Sequence, residues 1–208
     1  LTPLEDGELK DMINEFASSV GYEVTKISTM DASKRSTKLN AFFAGLGKYK
    51  QVVLYDTLIE KMSNEEIVSV LAHEIGHSKH KHIRFNLFQT SFNILLLFAV
   101  LYVILSQDVI MSAFGIENVV FGFGLLLFSV FMSPISILIG LFSSYYSRKH
   151  EYEADRYAAT KFKKEPMISA LKVLSRENFS NLTPHPLFVR LRYSHPPTVD
   201  RIRAIIKG

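Results

Sequence analysis

Val68-Ser69-Val70-Leu71-Ala72-His73-Glu74-Ile75-Gly76-His77-Ser78-Lys79-His80-Lys81-His82 contains the pattern His-Glu-x-x-His at residues 73–77. Residues four apart lie one above the other on a helix face, so His73 and His77 can hold one zinc ion between them. Glu74 is turned about 100° from His73, close enough to take a proton from a water on that zinc. Ile67, Val68, Val70, Leu71 and Ala72 give the helix an apolar body. Ser63-Asn64-Glu65-Glu66 has the Ser-x-x-Glu form of a capping box, which starts a helix here. The plain alternative is a helix with two surface histidines and a salt-bridging glutamate. It leaves Gly76 unexplained, since glycine costs about 1 kcal/mol relative to alanine inside a helix. A glycine there lets another backbone or a substrate approach closely.

The chain has 208 residues, a net charge of +4, 48% hydrophobic residues and no cysteine. Without thiols there is no disulfide framework, and any metal must be held by histidine and carboxylate. The apolar excess is concentrated in the middle. Phe85 to Gln107 runs 23 residues without a charge, about 34 Å as a helix against a hydrocarbon core of about 30 Å. Val119 to Ser147 is a second such run of 29 residues, with Pro134 as a place for a kink. Two such stretches are hard to bury in so short a globular chain, which points to a transmembrane hairpin. Lys79, Lys81 and Arg84 precede it, Arg148 and Lys149 follow it, and the connection carries Asp108 and Glu117 but no Lys or Arg. The positive-inside rule then places both flanks on the cytoplasmic side. Basic charge beside apolar spans reads as a membrane surface; no nucleic-acid motif accompanies it. The chain does not begin with Met and shows no signal-peptide pattern, as expected of a portion of a longer protein.

A hairpin returns the chain to the face it left. It delivers Arg148-Lys149-His150-Glu151-Tyr152-Glu153-Ala154-Asp155 beside residues near 80. A zinc held by two histidines needs a third protein ligand and an open position. Glu151 is assigned that role. Asp155, one turn on, would accept the free N–H of a ligand histidine and fix its tautomer. Glu153 projects about 200° away from Glu151 and is the poorer ligand. A solvated juxtamembrane helix is the bland alternative.

Elsewhere, apolar spacing suggests a helix within Leu1 to Gly21, and Tyr22 to Met30 tends toward a strand. Asn40 to Leu46 and Gln51 to Tyr55 read as two strands of a hairpin around Gly45-Leu46-Gly47-Lys48. The first is either a plain core strand or an edge beside the zinc that captures an extended peptide. Pro166 suits the first turn of a helix to about Arg176; residues 178–186 read as a loop, and Thr198 to Lys207 as a short helix. His195, before two prolines, is either a turn residue or a donor to a developing oxyanion. Arg201 clamps a carboxylate or pairs near Glu74 or Asp155; the sequence does not choose. His80 and His82 read as surface residues.

Together these segments resemble the type I CAAX prenyl endopeptidases, integral-membrane zinc proteases that process farnesylated proteins. The similarity covers nearly the whole chain. It includes Leu1-Thr2-Pro3-Leu4, Ser33-Lys34-Arg35-Ser36, Asn40-Ala41-Phe42-Phe43, Val53-Leu54-Tyr55-Asp56-Thr57-Leu58, His73-Glu74-Ile75-Gly76-His77, Glu151-Tyr152-Glu153-Ala154-Asp155, and Tyr193-Ser194-His195-Pro196-Pro197 with Arg201. The resemblance implies one zinc ion on His73, His77 and Glu151, with Glu74 as general base. It implies His195 and Arg201 in the active site and a substrate-facing strand at Asn40, Ala41 and Phe42. It also implies preceding transmembrane helices that enclose a chamber, so that this chain corresponds to a carboxy-terminal half.

The expected fold is mainly α with a small β-sheet, a zincin-like (gluzincin) catalytic domain interrupted by a two-helix transmembrane hairpin. Its parts are residues 1–84, 85–147 and 148–208. The expected substrate is a prenylated CAAX protein, cut near its C-terminus. The membrane would be the endoplasmic reticulum in a eukaryote or the inner membrane in a bacterium. A heat-shock-type membrane quality-control metalloprotease and an inactive membrane scaffold are the alternatives.

Overall fold

A computed structural model describes residues 1–34, 39–44 and 50–208. The expected turn at Gly45-Leu46-Gly47-Lys48 and the segment 35–38 lie outside the described residues. The fold is mainly helical with one small mixed sheet, as expected. In chain order the elements are β1 (Thr2–Pro3), α1 (Glu8–Ser19), β2 (Lys26–Met30), β3 (Ala41–Ala44), β4 (Gln51–Tyr55), α2 (Asp56–Lys61), α3 (Asn64–Lys79), α4 (His82–Ser106), α5 (Asp108–Ser112), α6 (Phe121–Lys161), α7 (Lys164–Glu177), α8 (Pro186–Arg192) and α9 (Thr198–Lys207).

The sheet order is β1-β2-β4-β3. β3 pairs antiparallel with β4, Phe42 opposite Val53, and β2 lies parallel to β4 on the other side. β3 is therefore an edge strand, as the substrate-strand reading requires. Two local bounds are sharpened. Thr2–Pro3 is an extended edge paired with Thr29 and Ser28, and helix α1 begins only after Gly7. Proline lacks an N–H and suits an edge, where no ladder bond is lost. The segment read as loop through Pro186 gives way to α8, with Pro186 in its first turn and the His185 side chain accepting from the Leu187 N–H.

α3 is set by its own sequence. Ser63 is the N-cap: its Oγ accepts from the Glu66 N–H at 3.3 Å, and Glu66 Oε2 accepts from the Ser63 N–H at 2.8 Å. Its apolar body, Ile67, Val68, Leu71 and Ala72, packs against Leu54 of β4 and Leu58 of α2; all are at most 1% exposed. Burying a side chain of this size contributes roughly 1.5–3 kcal/mol, so α3 is the stem of the core.

Among the described residues, α4 and α6 are long and apolar enough to cross a membrane, and their apolar windows are only 6% and 11% buried. Leu87, Phe88, Phe92, Leu95, Phe98 and Tyr102 all stand open on α4, an apolar surface that water does not tolerate on a monomer. The two helices pack together through the Phe85 and Tyr146 rings, 5.0 Å apart, and through Gln89 bonded to Ser143. α6 runs through Pro134 as one 41-residue helix, about 60 Å long. Its first two thirds are apolar and its last turns carry Glu151 and Asp155. The point between residues 147 and 148 lies inside this one helix.

α6 meets α3 at Gly76. A Cβ built on Gly76 would stand 3.1 Å from the Ala154 Cα, 3.1 Å from the Tyr157 Cβ and 3.3 Å from the Ala154 carbonyl oxygen. The helical cost of the glycine is offset by this close backbone approach. A branched side chain here must push the helices apart, at a cost of about 1–3 kcal/mol. Gly76→Val is therefore expected to lower the thermal melting temperature of the detergent-solubilised protein clearly, and Gly76→Ala to lower it less. Unchanged melting of the valine variant would show that the contact does not hold the helices.

Candidate metal centre

Helix periodicity puts His73 and His77 on one face of α3, with Nε2 atoms 3.1 Å apart and ring planes at 81°. α6 crosses that face at Gly76 and presents Glu151, one turn before Ala154. Its Oε2 lies 3.6 Å from His73 Nε2 and its Oε1 3.4 Å from His77 Nε2. Zinc held tetrahedrally at about 2.0–2.1 Å keeps its ligand atoms about 3.3 Å from one another. The two Nε2 atoms, 3.1 Å apart, and the carboxylate oxygens that face them, Oε2 at 3.6 Å and Oε1 at 3.4 Å, stand at separations of that order. Two imidazoles and a carboxylate are also the donor set zinc takes in catalytic sites. The residues present therefore fit the ion.

Asp155, 1% exposed, stands behind this face, with Oδ1 2.9 Å from His73 Nδ1. A proton donated from Nδ1 to this carboxylate leaves the Nε2 lone pair free and pointing at Glu151. Arg201, from the first turn of α9, resolves the choice the sequence left open. Its Nε and Nη2 donate to Asp155 Oδ2 and Oδ1 at 2.7 and 2.6 Å, and its Nη1 lies 3.1 Å from Glu151 Oε2. A planar guanidinium suits such a fork. It places one positive charge between two buried carboxylates that would otherwise repel each other.

Glu74 borders the same cleft. Burial pushes its carboxyl above the ordinary glutamate range, with the Glu151 charge adding to the rise, while His73, His77 and Arg201 act in the opposite direction. A carboxylate raised in this way accepts a proton more readily than an exposed one. His195, in the loop between α8 and α9, puts Nδ1 3.2 Å from Glu151 Oε2, and its side chain is 66% exposed toward the opening. Arg148 of α6 anchors that loop by donating to the carbonyls of Tyr193 at 2.6 Å and Val189 at 3.3 Å.

A cleft of about 500 Å³ joins His73, Glu74, Glu151, His195 and Arg201 to Asn40 and Ala41 at the sheet edge. Phe42 does not line it; its ring packs edge-on against Tyr55 at 6.2 Å. Phe42 shares its side of the strand with Asn40, so it is the ring contact with Tyr55 that occupies it instead. The Tyr55 N–H donates to the Asn40 carbonyl at 3.1 Å. By the alternation of an antiparallel ladder, the backbone groups of Ala41 and Phe43 then point outward from the edge. The far wall comes from Met167, Leu171 and Leu174 of α7 and from Asn181. Helical spacing by itself gives the apolar residues of α7 a core role, and nothing in the pattern around Asn181 marks it.

One reading of the sequence is overturned nearby. His80 is exposed, as expected, but His82 is 3% exposed. Lys81 adopts a left-handed conformation, φ 60°, and turns α4 back so that His82 packs under His77. His150 is buried beside it, its ring stacked on that of His82 at 3.9 Å. Clustered histidines after the ligand pair were the one available signal.

The model of the family described as Peptidase family M48 matches residues 3–207. The CAAX prenyl protease 1 homolog of Arabidopsis thaliana is 36% identical over 205 residues, which cover 98% of this chain and 48% of that protein. CAAX prenyl protease 1 of Saccharomyces cerevisiae is 36% identical over 220 residues, covering 98% and 49%. A homolog from Homo sapiens is 30% identical over 244 residues, covering 98% and 51%. The crystal structure of S. mikatae Ste24p superposes with a TM-score of 0.88 at 35% identity, over 98% of this chain and 51% of that one. The chain spans about half the length of the curated relatives it matches. The resemblance read from the motifs thus stands, and with the fold, the site geometry and a family match over nearly its whole length, this chain belongs to peptidase family M48.

Proposed function

We propose that this chain carries the catalytic site of a zinc-dependent membrane endopeptidase that cuts near the C-terminus of prenylated CAAX proteins. The observation that carries the reading is the convergence of His73, His77 and Glu151 from two helices, with Glu74 beside them in one cleft. The substrate class rests on the names of the relatives, which are CAAX prenyl proteases.

His73, His77 and Glu151 would hold the zinc. When bound, zinc would polarise the scissile carbonyl and make the attacking water more acidic. Glu74 accepts the proton of that water and returns it to the leaving amine. His195, open to the cleft, turns a ring N–H toward the carbonyl oxygen as negative charge develops there. Arg201 holds Asp155 and Glu151 in register. The outward backbone groups of Ala41 and Phe43 extend the sheet by pairing with the peptide, and Asn40 lies at the cleft end of that edge.

The apolar faces of α4 and α6 meet lipid, the prenyl chain, and the preceding helices that the family resemblance implies. Basic residues at Lys79, Lys81, Arg84, Arg148 and Lys149 put the cleft on the cytoplasmic side. In a eukaryotic cell that membrane would be the endoplasmic reticulum, and in a bacterium the inner membrane.

In the intact protein, Glu74→Gln is expected to keep bound metal yet slow cleavage of a farnesylated CAAX peptide by about 10²–10⁴-fold, the usual worth of a general base. Near-normal turnover would remove Glu74 from the mechanism. Glu151→Ala is expected to lose the metal itself, seen as a drop in zinc content after dialysis; full retention would exclude it as a ligand. The farnesylated peptide should be cut well ahead of its unprenylated form. Equal rates would favour a general membrane quality-control protease.

A further inference from the structure

His77 has a second ring nitrogen, and it faces a built partner. Its Nδ1 lies 2.9 Å from Nδ1 of His82, and Nε2 of His82 lies 2.9 Å from Oε2 of Glu153. His82 is 3% exposed, and its ring is clamped flat against His150, 3.9 Å away and 13° from parallel. Glu153 faces Lys149 on its other side, at 3.8 Å. This chain exists because the left-handed turn at Lys81 returns the backbone toward α3, so a residue five after His77 reaches its outer nitrogen.

One assignment of protons satisfies the whole chain. His77 presents the Nε2 lone pair inward and therefore carries its proton on Nδ1. It donates that proton to Nδ1 of His82, which carries its own proton on Nε2 and donates it to the Glu153 carboxylate. Every donor meets an acceptor. The two imidazoles of the centre are thus backed differently. His73 is backed by Asp155 directly, and His77 by Glu153 through an intervening imidazole.

We propose that His82 and Glu153 are positioning residues for His77, fixing its tautomer and ring plane so that Nε2 is aimed at the metal. The proposal rests on the metal-centre reading above. His80, His82 and Glu153 also bring ligand atoms within 4.8 Å of one another, which raises a second ion as an alternative. The His80 and His82 rings are 14° from parallel at 5.5 Å, so their in-plane lone pairs do not converge on one point. Both nitrogens of His82 are also engaged already.

The test uses the intact protein in detergent, with His82→Leu, His82→Asn and Glu153→Gln. Leucine fills the volume and accepts nothing. Asparagine sets a carbonyl oxygen near the place of Nδ1 and keeps an acceptor for His77. Metal affinity is measured by competition with a chelator, the visible spectrum of the cobalt-substituted protein is recorded, and metal-free melting is followed as a control. His82→Leu is expected to weaken metal binding about 10- to 100-fold and to change the cobalt spectrum. His82→Asn is expected to recover most of the loss, and Glu153→Gln to fall between the two.

Wild-type affinity in His82→Leu overturns the proposal, as does a loss that His82→Asn does not recover, or the loss of a second bound ion. Unaltered binding in Glu153→Gln overturns the share given to that residue. A wild-type protein that binds no metal sinks the centre itself and the proposal with it. A metal-binding wild type with an unaffected leucine variant sinks only the proposal.

Discussion

The site depends on one close contact, the passage of α6 over Gly76 of α3 with the Ala154 backbone at 3.1 Å from where a Cβ would stand. The short side chain of Glu151 has to reach two imidazoles on the opposing helix, so the distance between the helix axes sets whether three donors converge. Alanine at position 76 would favour the isolated helix. Glycine favours the pair of helices. A local cost in α3 is thereby exchanged for a tertiary arrangement that neither helix makes alone.

That approach creates an electrostatic problem, since Glu151 and Asp155 are both buried and both aimed at α3. Arg201 answers it from a third element, α9, with its fork on Asp155 and its remaining nitrogen on Glu151. The arginine therefore acts through the carboxylates, although it borders the cleft together with Glu74 and His195. The long helix α6 couples this arrangement to the apolar hairpin, because span and ligand share one continuous rod.

The edge strand brings a different constraint. β3 keeps one side unpaired among the described residues, and such an edge is an aggregation hazard unless something occupies or covers it. Here the edge ends at the cleft, with Ala41 and Asn40 in its lining. A strand that exposes backbone groups beside the candidate metal centre is suited to hold an extended chain in register, whatever its sequence.

The sequence alone determined those features that are written along the chain. The His73–His77 spacing follows from helix periodicity, the α3 start from the Ser63 cap, and the spans from the length of charge-free runs. The pairing of β3 with β4 and the bounds of α9 were likewise legible, because each depends on neighbours in sequence. The return of Glu151 was readable because two antiparallel spans leave few places for it to go.

Tertiary structure decided the rest. Arg201 had several carboxylates within reach, and only the rotation of α6 against α9 chose Asp155 and Glu151. Phe42 stands outside the cleft lining, with its ring packed against Tyr55 of the neighbouring strand. His82 went inside because a single residue, Lys81, took a left-handed conformation that no local pattern announces. Periodicity and charge are properties of a segment, whereas burial and partnership are properties of the space between segments.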